Sequence, residues 1–206
     1  MHISSLDIPQ FYSRTQWISG DALEFARCVE NIPVDQSKAK VILHQSARLL
    51  WLGEQVSVVA TARPAFQVLF ALIVAELVAK IVHGFKGEGQ SRKHVHLFFE
   101  DICSTRLQEV LGNMFEGDPL QPNFTVPEIV NFLYDIRCDV VHEGHYFGFH
   151  MPLADVDPPV MSYAGEKIVT AVAPVSSLQQ VVLEGALLGA RRITPTGSPC
   201  RALIAE

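Results

Sequence analysis

The chain lacks most of the patterns that announce a function. It has no P-loop, no Gly-x-Gly-x-x-Gly, no Gly-x-Ser-x-Gly and no zinc-knuckle spacing. Residues 84–89 are glycine-rich, but they follow a helical stretch rather than a strand, so phosphate cradling is not expected there. The four cysteines (Cys28, Cys103, Cys138, Cys200) form no CxxC pair. Residues 1–10 show no basic region leading into an apolar run, so no secretory leader is expected. Scattered cysteines without a leader read as reduced thiols in a cytoplasmic protein. Charge is also scarce: 18% of residues are charged and the net charge is −6, which argues against a general polyanion-binding surface.

Apolar residues make up 49% of the 206 positions, enough for a real core in one domain with embellishments. Residues 66–82 approach membrane length, but Gln67, Glu76 and Lys80 interrupt them. Charges at mid-span cost several kcal/mol in lipid. The stretch therefore reads as a buried core helix, with no membrane as partner.

The elements follow from periodicity and caps. Residues 21–30 suit a short helix, and Asp35 suits the cap of a longer one through residues 39–52. Residues 56–60, after Gly53, fit a strand equally well, and this region stays undecided. Arg63-Pro64 places proline in the first turn of a helix that runs to about Val82 and stops near Gly84. Its apolar residues cover nearly the whole circumference, which calls for burial against several neighbours. A second helix fits residues 91–113, before the Gly117-Asp118-Pro119 break. Thr125-Val126-Pro127-Glu128 is a capping box and opens a helix to about His142, with Gly144 as its stop. Residues 160–163 and 167–173 flank a turn at residues 164–166 as a small hairpin. Residues 177–180 are a second capping box and open a last helix to about Arg192. The expected architecture is mainly α: a bundle at residues 61–192, an N-terminal extension at residues 1–60, and a surface tail at residues 193–206.

The helix after Thr125 carries the most suggestive chemistry. At about 100° per residue, Ile129, Leu133, Ile136 and Val140 form a core stripe. Asn131, Asp135, Cys138 and His142 line the opposite side. Arg137 sits on a flank, about 140° from His142 on a straight helix. Histidine titrates near neutrality and moves protons, and the fixed charge and fork of arginine suit a phosphate.

A bundle whose late helix carries Arg137-x4-His142, preceded by an apolar helix with a lone acid at Glu76, resembles the HEPN superfamily over residues 61–192. The resemblance implies a four- to five-helix bundle that dimerises so that two Arg/His pairs build one composite site. It further implies metal-independent endoribonuclease activity through 2′-hydroxyl attack and a cyclic-phosphate product, with no cofactor. RNA or a nucleotide would be the ligand, and a cognate antitoxin a possible protein partner. Asp139, Cys138, Glu76, Asn131 and Asp135 are the supporting candidates. Active members carry Asn, Asp or His directly after the arginine, whereas this chain has Cys138 and then Asp139. That departure, with the acidic net charge, motivates the alternative of a non-catalytic nucleotide-binding, interaction or dimerisation module. In a third reading Arg137 merely pairs with Asp135 or Asp139.

Three further groups stand out. Glu76 needs a partner if buried, and Lys80 lies four residues on. His142, Glu143, His145 and His150 come one residue short of zincin spacing, so no metal is expected. Lys80, Lys86, Arg92, Lys93 and Arg106, with His83, His94 and His96, form the one mildly basic neighbourhood, where His94 and His96 read as exposed.

Overall fold

The structure, a computed structural model, describes residues 6–33, 37–59, 64–117, 124–145, 149–164 and 167–205. The proposed cap at Asp35, Arg63, the Asp118-Pro119 break and the hairpin turn at residues 165–166 lie outside them. The fold is mainly helical. Its helices are α1 (Ile8–Tyr12), α2 (Ala22–Glu30), α3 (Lys38–Val59), α4 (Pro64–Val82), α5 (Ser91–Leu97), α6 (Thr105–Gly112), α7 (Val126–Cys138) and α8 (Val175–Ile193). The strands are short: β1 (Ser19–Gly20), β2 (Phe115–Glu116), β3 (Val160–Ala164), β4 (Lys167–Ala171) and β5 (Ile204–Ala205).

Helix α4 is the hub, packed against α3, α8, α5 and α7. It is the one described helix long and apolar enough to cross a bilayer, with mean hydropathy 2.2. Here its apolar circumference serves several helix neighbours at once, as an all-round hydrophobic helix requires. Helix α3 packs along both α4 and α8. The segment read as an extension therefore supplies a bundle helix, and residues 56–59 continue it rather than forming a strand.

Helix α8 approaches its neighbours closely at Gly185. A Cβ there would lie 2.5 Å from Phe98 Cζ and 2.9 Å from Cys103 Sγ, and both side chains are buried. Gly185→Ala gains roughly 1 kcal/mol of helix propensity, but overpacking a filled core costs about 1–3 kcal/mol. We expect a net loss of stability, read as a lower urea midpoint.

Two helix boundaries differ from expectation. The stretch 91–113 is not one helix: α5 ends at Leu97, residues Phe98–Ile102 make an i→i+5 (π) turn, and Cys103 is extended. The Ser104 side chain then accepts from the Leu107 amide and caps α6, so a polar cap inside the run restarts the helix. Helix α8 begins at Val175 after Pro174, with no side-chain cap. Ser177 falls inside its first turn and the second capping box is not formed.

The hairpin is present as antiparallel β3–β4 with Ser162 opposite Val169, and β2 adds to β4 for the order β2-β4-β3. The tail is bound rather than loose. β5 pairs with β1, Cys200 and Ile204 are buried, and Cys28 and Cys200 are joined by a disulfide, Cα atoms 5.4 Å apart. This corrects the expectation of reduced thiols for that pair. The two residues are 172 positions apart, so nothing local in the sequence reports that the fold brings the chain's two end regions together. Cys103 and Cys138 are free.

Beside this closure, the buried Glu184 side chain of α8 accepts from three consecutive backbone amides. Gln16 N–H reaches Oε1 at 2.6 Å, Trp17 N–H reaches Oε2 at 2.9 Å and Ile18 N–H reaches Oε2 at 2.7 Å. Gln180 Nε2 adds a bond to Oε1 at 2.8 Å. A carboxylate thus does for an irregular N-terminal segment what a strand partner would do.

Candidate active site on the α4–α5–α7 face

Helix α7 starts where its caps dictate. Glu128 N–H donates to Thr125 Oγ1 at 3.4 Å, and Thr125 N–H donates to Glu128 Oε2 at 3.0 Å. Ile129, Leu133 and Ile136 are buried and Val140 is partly buried against the core. The α-helix ends at Cys138, and Asp139–Glu143 form a second π turn closed by Gly144 N–H to Asp139 O. Gly144 has φ 65°, a left-handed conformation that glycine adopts without strain.

The π turn changes the angular arithmetic. An i→i+5 turn advances fewer degrees per residue than an α turn, so His142 stands off Arg137 by roughly 70°, about half the straight-helix value. Arg137 is partly buried and His142 exposed. The Arg137 guanidinium lies 5.4 Å from the Tyr134 ring centroid, a cation–π distance. Among the described residues Arg137 has no ion pair, and no hydrogen bond joins it to His142.

The other polar residues of α7 are engaged by α5. Arg92 bonds Asp135 Oδ1 at 2.5 Å and Asn131 Oδ1 at 3.2 Å. Its guanidinium lies 4.7 Å from the Tyr134 ring, so two arginines share one aromatic. His96 places Nε2 3.0 Å from Asn131 Oδ1 and Nδ1 2.5 Å from Glu100. Asp135 therefore serves Arg92, not Arg137. Asp139 is exposed, and Cys138 is partly buried and packed against the core instead of joining the polar face. Sequence reasoning missed Arg92, His96 and Tyr134 as members of this cluster. Their signals were the i, i+4 spacing of Arg92 and His96 on α5 and the i, i+3 spacing of Tyr134 and Arg137 on α7.

Glu76 accepts from Lys80 Nζ at 2.6 Å and from Ser91 Oγ at 2.8 Å. Burial would raise its pKa, but those two bonds and the charges of Lys80 and Arg137 outweigh it and hold the carboxyl below its usual 4.5. The local Lys80 partner and an electrostatic link to Arg137 are both present.

His94 corrects the expectation of two exposed histidines. It is 3% exposed, its ring lies 4.5 Å from that of Phe85, and neither ring nitrogen has a hydrogen-bond partner. His96 is partly buried. Burial lowers the His94 pKa from 6.5; Lys80, Lys93 and His83 lower it too, and Glu76 opposes them. A histidine held neutral by the fold binds fewer protons than in the unfolded chain. Its contribution is fully present above the unfolded pKa and is lost progressively as pH falls from that value through the lowered folded one. We expect the urea midpoint to fall as pH drops below about 6.5, and His94→Phe to remove that step. An unchanged pH profile in the variant would assign the step elsewhere.

Half of the basic neighbourhood is engaged by internal acids: Lys80–Glu76, Arg92–Asp135, His83–Asp101 and His96–Glu100. Among the described residues no three His, Cys, Asp or Glu side chains converge as a metal site. Comparison with known proteins finds no match to a family model, a curated protein or a solved structure.

Proposed function

We propose that this chain is a metal-independent endoribonuclease of HEPN type that works as a homodimer, with Arg137 and His142 at the reacting phosphodiester. The observation that carries the reading is that Arg137 makes no direct ion pair among the described residues, feeling Glu76 only through its charge, and lies on the same helix end as exposed His142. Its neighbours Arg92 and His96 are meanwhile consumed by acids. A ribose 2′-oxygen attacks the adjacent phosphorus, its proton passes to a base, and the P–O5′ bond breaks as the 5′-oxygen gains a proton. His142 serves one of these proton transfers, and Arg137 stabilises the charge that builds on the phosphate. Val141, next to His142 and 48% exposed, supplies an apolar contact for a second copy. A cognate antitoxin would be a further partner. The cytoplasmic setting expected from reduced thiols loses that support with the Cys28–Cys200 bond.

The test is cleavage of single-stranded RNA by purified protein in EDTA. His142→Ala should lower it by about 10²–10⁴-fold while leaving the thermal midpoint in place; cleavage unaffected by the substitution removes this mechanism. The packing of Cys138 against the core favours a second reading, a non-catalytic binding or dimerisation module, since Arg137 then lacks a polar neighbour at the next position. That reading requires wild-type protein that cuts no RNA and co-purifies with a nucleotide or a protein.

A further inference from the structure

A groove of about 280 Å³ lies where the start of α3 meets the end of α4 and the turn that follows. Its apolar lining comes from Val41, Ile81 and Phe85, and Lys38, Lys80 and Lys86 stand around it. Among the described residues no acidic side chain lines it. The chain has six lysines in all, so half of them gather at this one concavity in a protein of net charge −6. Val41 is 41% exposed, and Lys38 and Lys86 are exposed with no ion pair among the described residues. The basic character read in residues 80–106 thus survives at Lys86, and Lys38 joins it from a distant part of the sequence.

We propose that this groove is a subsite for single-stranded RNA, resting on the endoribonuclease reading above. Backbone phosphates would sit on the ammonium groups of Lys38 and Lys86, and a base would pack on Phe85, Ile81 and Val41. An apolar and aromatic strip flanked by lysines is the sequence-tolerant way proteins hold single strands. The groove also adjoins the candidate active site. Lys80 lines it and bonds Glu76 at 2.6 Å, one turn or about 6 Å back along α4, and Glu76 feels the Arg137 charge. The groove and the candidate site thus share Lys80, which lines the one and bonds Glu76 of the other.

The experiment measures binding of a short fluorescent single-stranded RNA by full-length His142→Ala protein, which is expected to bind while cutting only slowly. Lys38→Glu with Lys86→Glu in that background should weaken binding at least tenfold. It should also make the plot of log K against log salt shallower by about 1.4, the share of two phosphate contacts on a single strand. Lys93→Glu with Arg106→Glu makes the same charge change outside the groove and should leave affinity within twofold. Equal weakening by both pairs, no weakening by the groove pair, or no RNA binding at all overturns the proposal. The two readings fail separately. Wild-type protein that binds through the groove but never cuts sinks the nuclease and leaves the subsite. Wild-type protein that cuts, with kcat/KM unchanged by the groove pair, sinks the subsite and leaves the nuclease.

Discussion

Glu184→Ala should be the most destabilising single substitution in the chain, lowering stability by about 3 kcal/mol or more. The side chain is buried and accepts from the consecutive amides of Gln16, Trp17 and Ile18. Alanine leaves three part-buried amide donors without their charged acceptor, and each carries a desolvation cost wherever water does not replace the carboxylate. In a chain of this length the loss corresponds to a fall in Tm of roughly 6–12 °C. Glu184→Gln keeps the shape but turns one oxygen into a donor facing donors, so it should fall between wild type and alanine. Hydrogen exchange gives the local readout: amides 16–18 should lose protection first and most. A midpoint within about 1 °C of wild type would mean that water replaces the carboxylate at no cost.

On the endoribonuclease proposal, the largest expected effect on activity is at the Arg137/His142 pair. General acid–base catalysis contributes typically 10²–10⁴-fold, so His142→Ala should lower kcat by about that factor with little change in KM. Arg137→Ala should cost about 10²–10³-fold, by analogy with removing one donor that stabilises transition-state charge. Arg137→Lys should recover little, because an ammonium lacks the bidentate fork and the aromatic stacking that Tyr134 gives a guanidinium. Residues acting as a unit are not additive. The double variant should therefore be scarcely slower than the worse single one. Additive losses would mean that the two side chains serve separate steps or separate sites.

Much of the fold was legible because its signals are local. Thr125 and Glu128 set the start of α7, the all-round apolar run of α4 required several neighbours, and residues 21–30 read as the short helix α2. What stayed hidden depends on partners distant in sequence. Cys28 and Cys200, or Glu184 and the amides of residues 16–18, carry no mark of each other along the chain. The π turns were invisible for a different reason. Counting residues at 100° each assumes an α-helix throughout, and neither Phe98–Ile102 nor Asp139–Glu143 contains a residue that signals the change of register. The candidate site was half legible. Arg137, His142 and Glu76 could be named from spacing, whereas the claim of Arg92 on Asp135 needed α5 and α7 side by side.

The Cys28–Cys200 bond and the β1–β5 pairing also decide how the molecule carries load. A pull applied at the two ends, as on a chain being threaded through a narrow pore, would reach only the segments outside the bond. The 172-residue span between the two sulfurs, with α3 through α8 inside it, lies out of the line of force. So long as that covalent link holds, the bundle is a closed ring under tension, and it must enter any such pore as a folded loop or not at all.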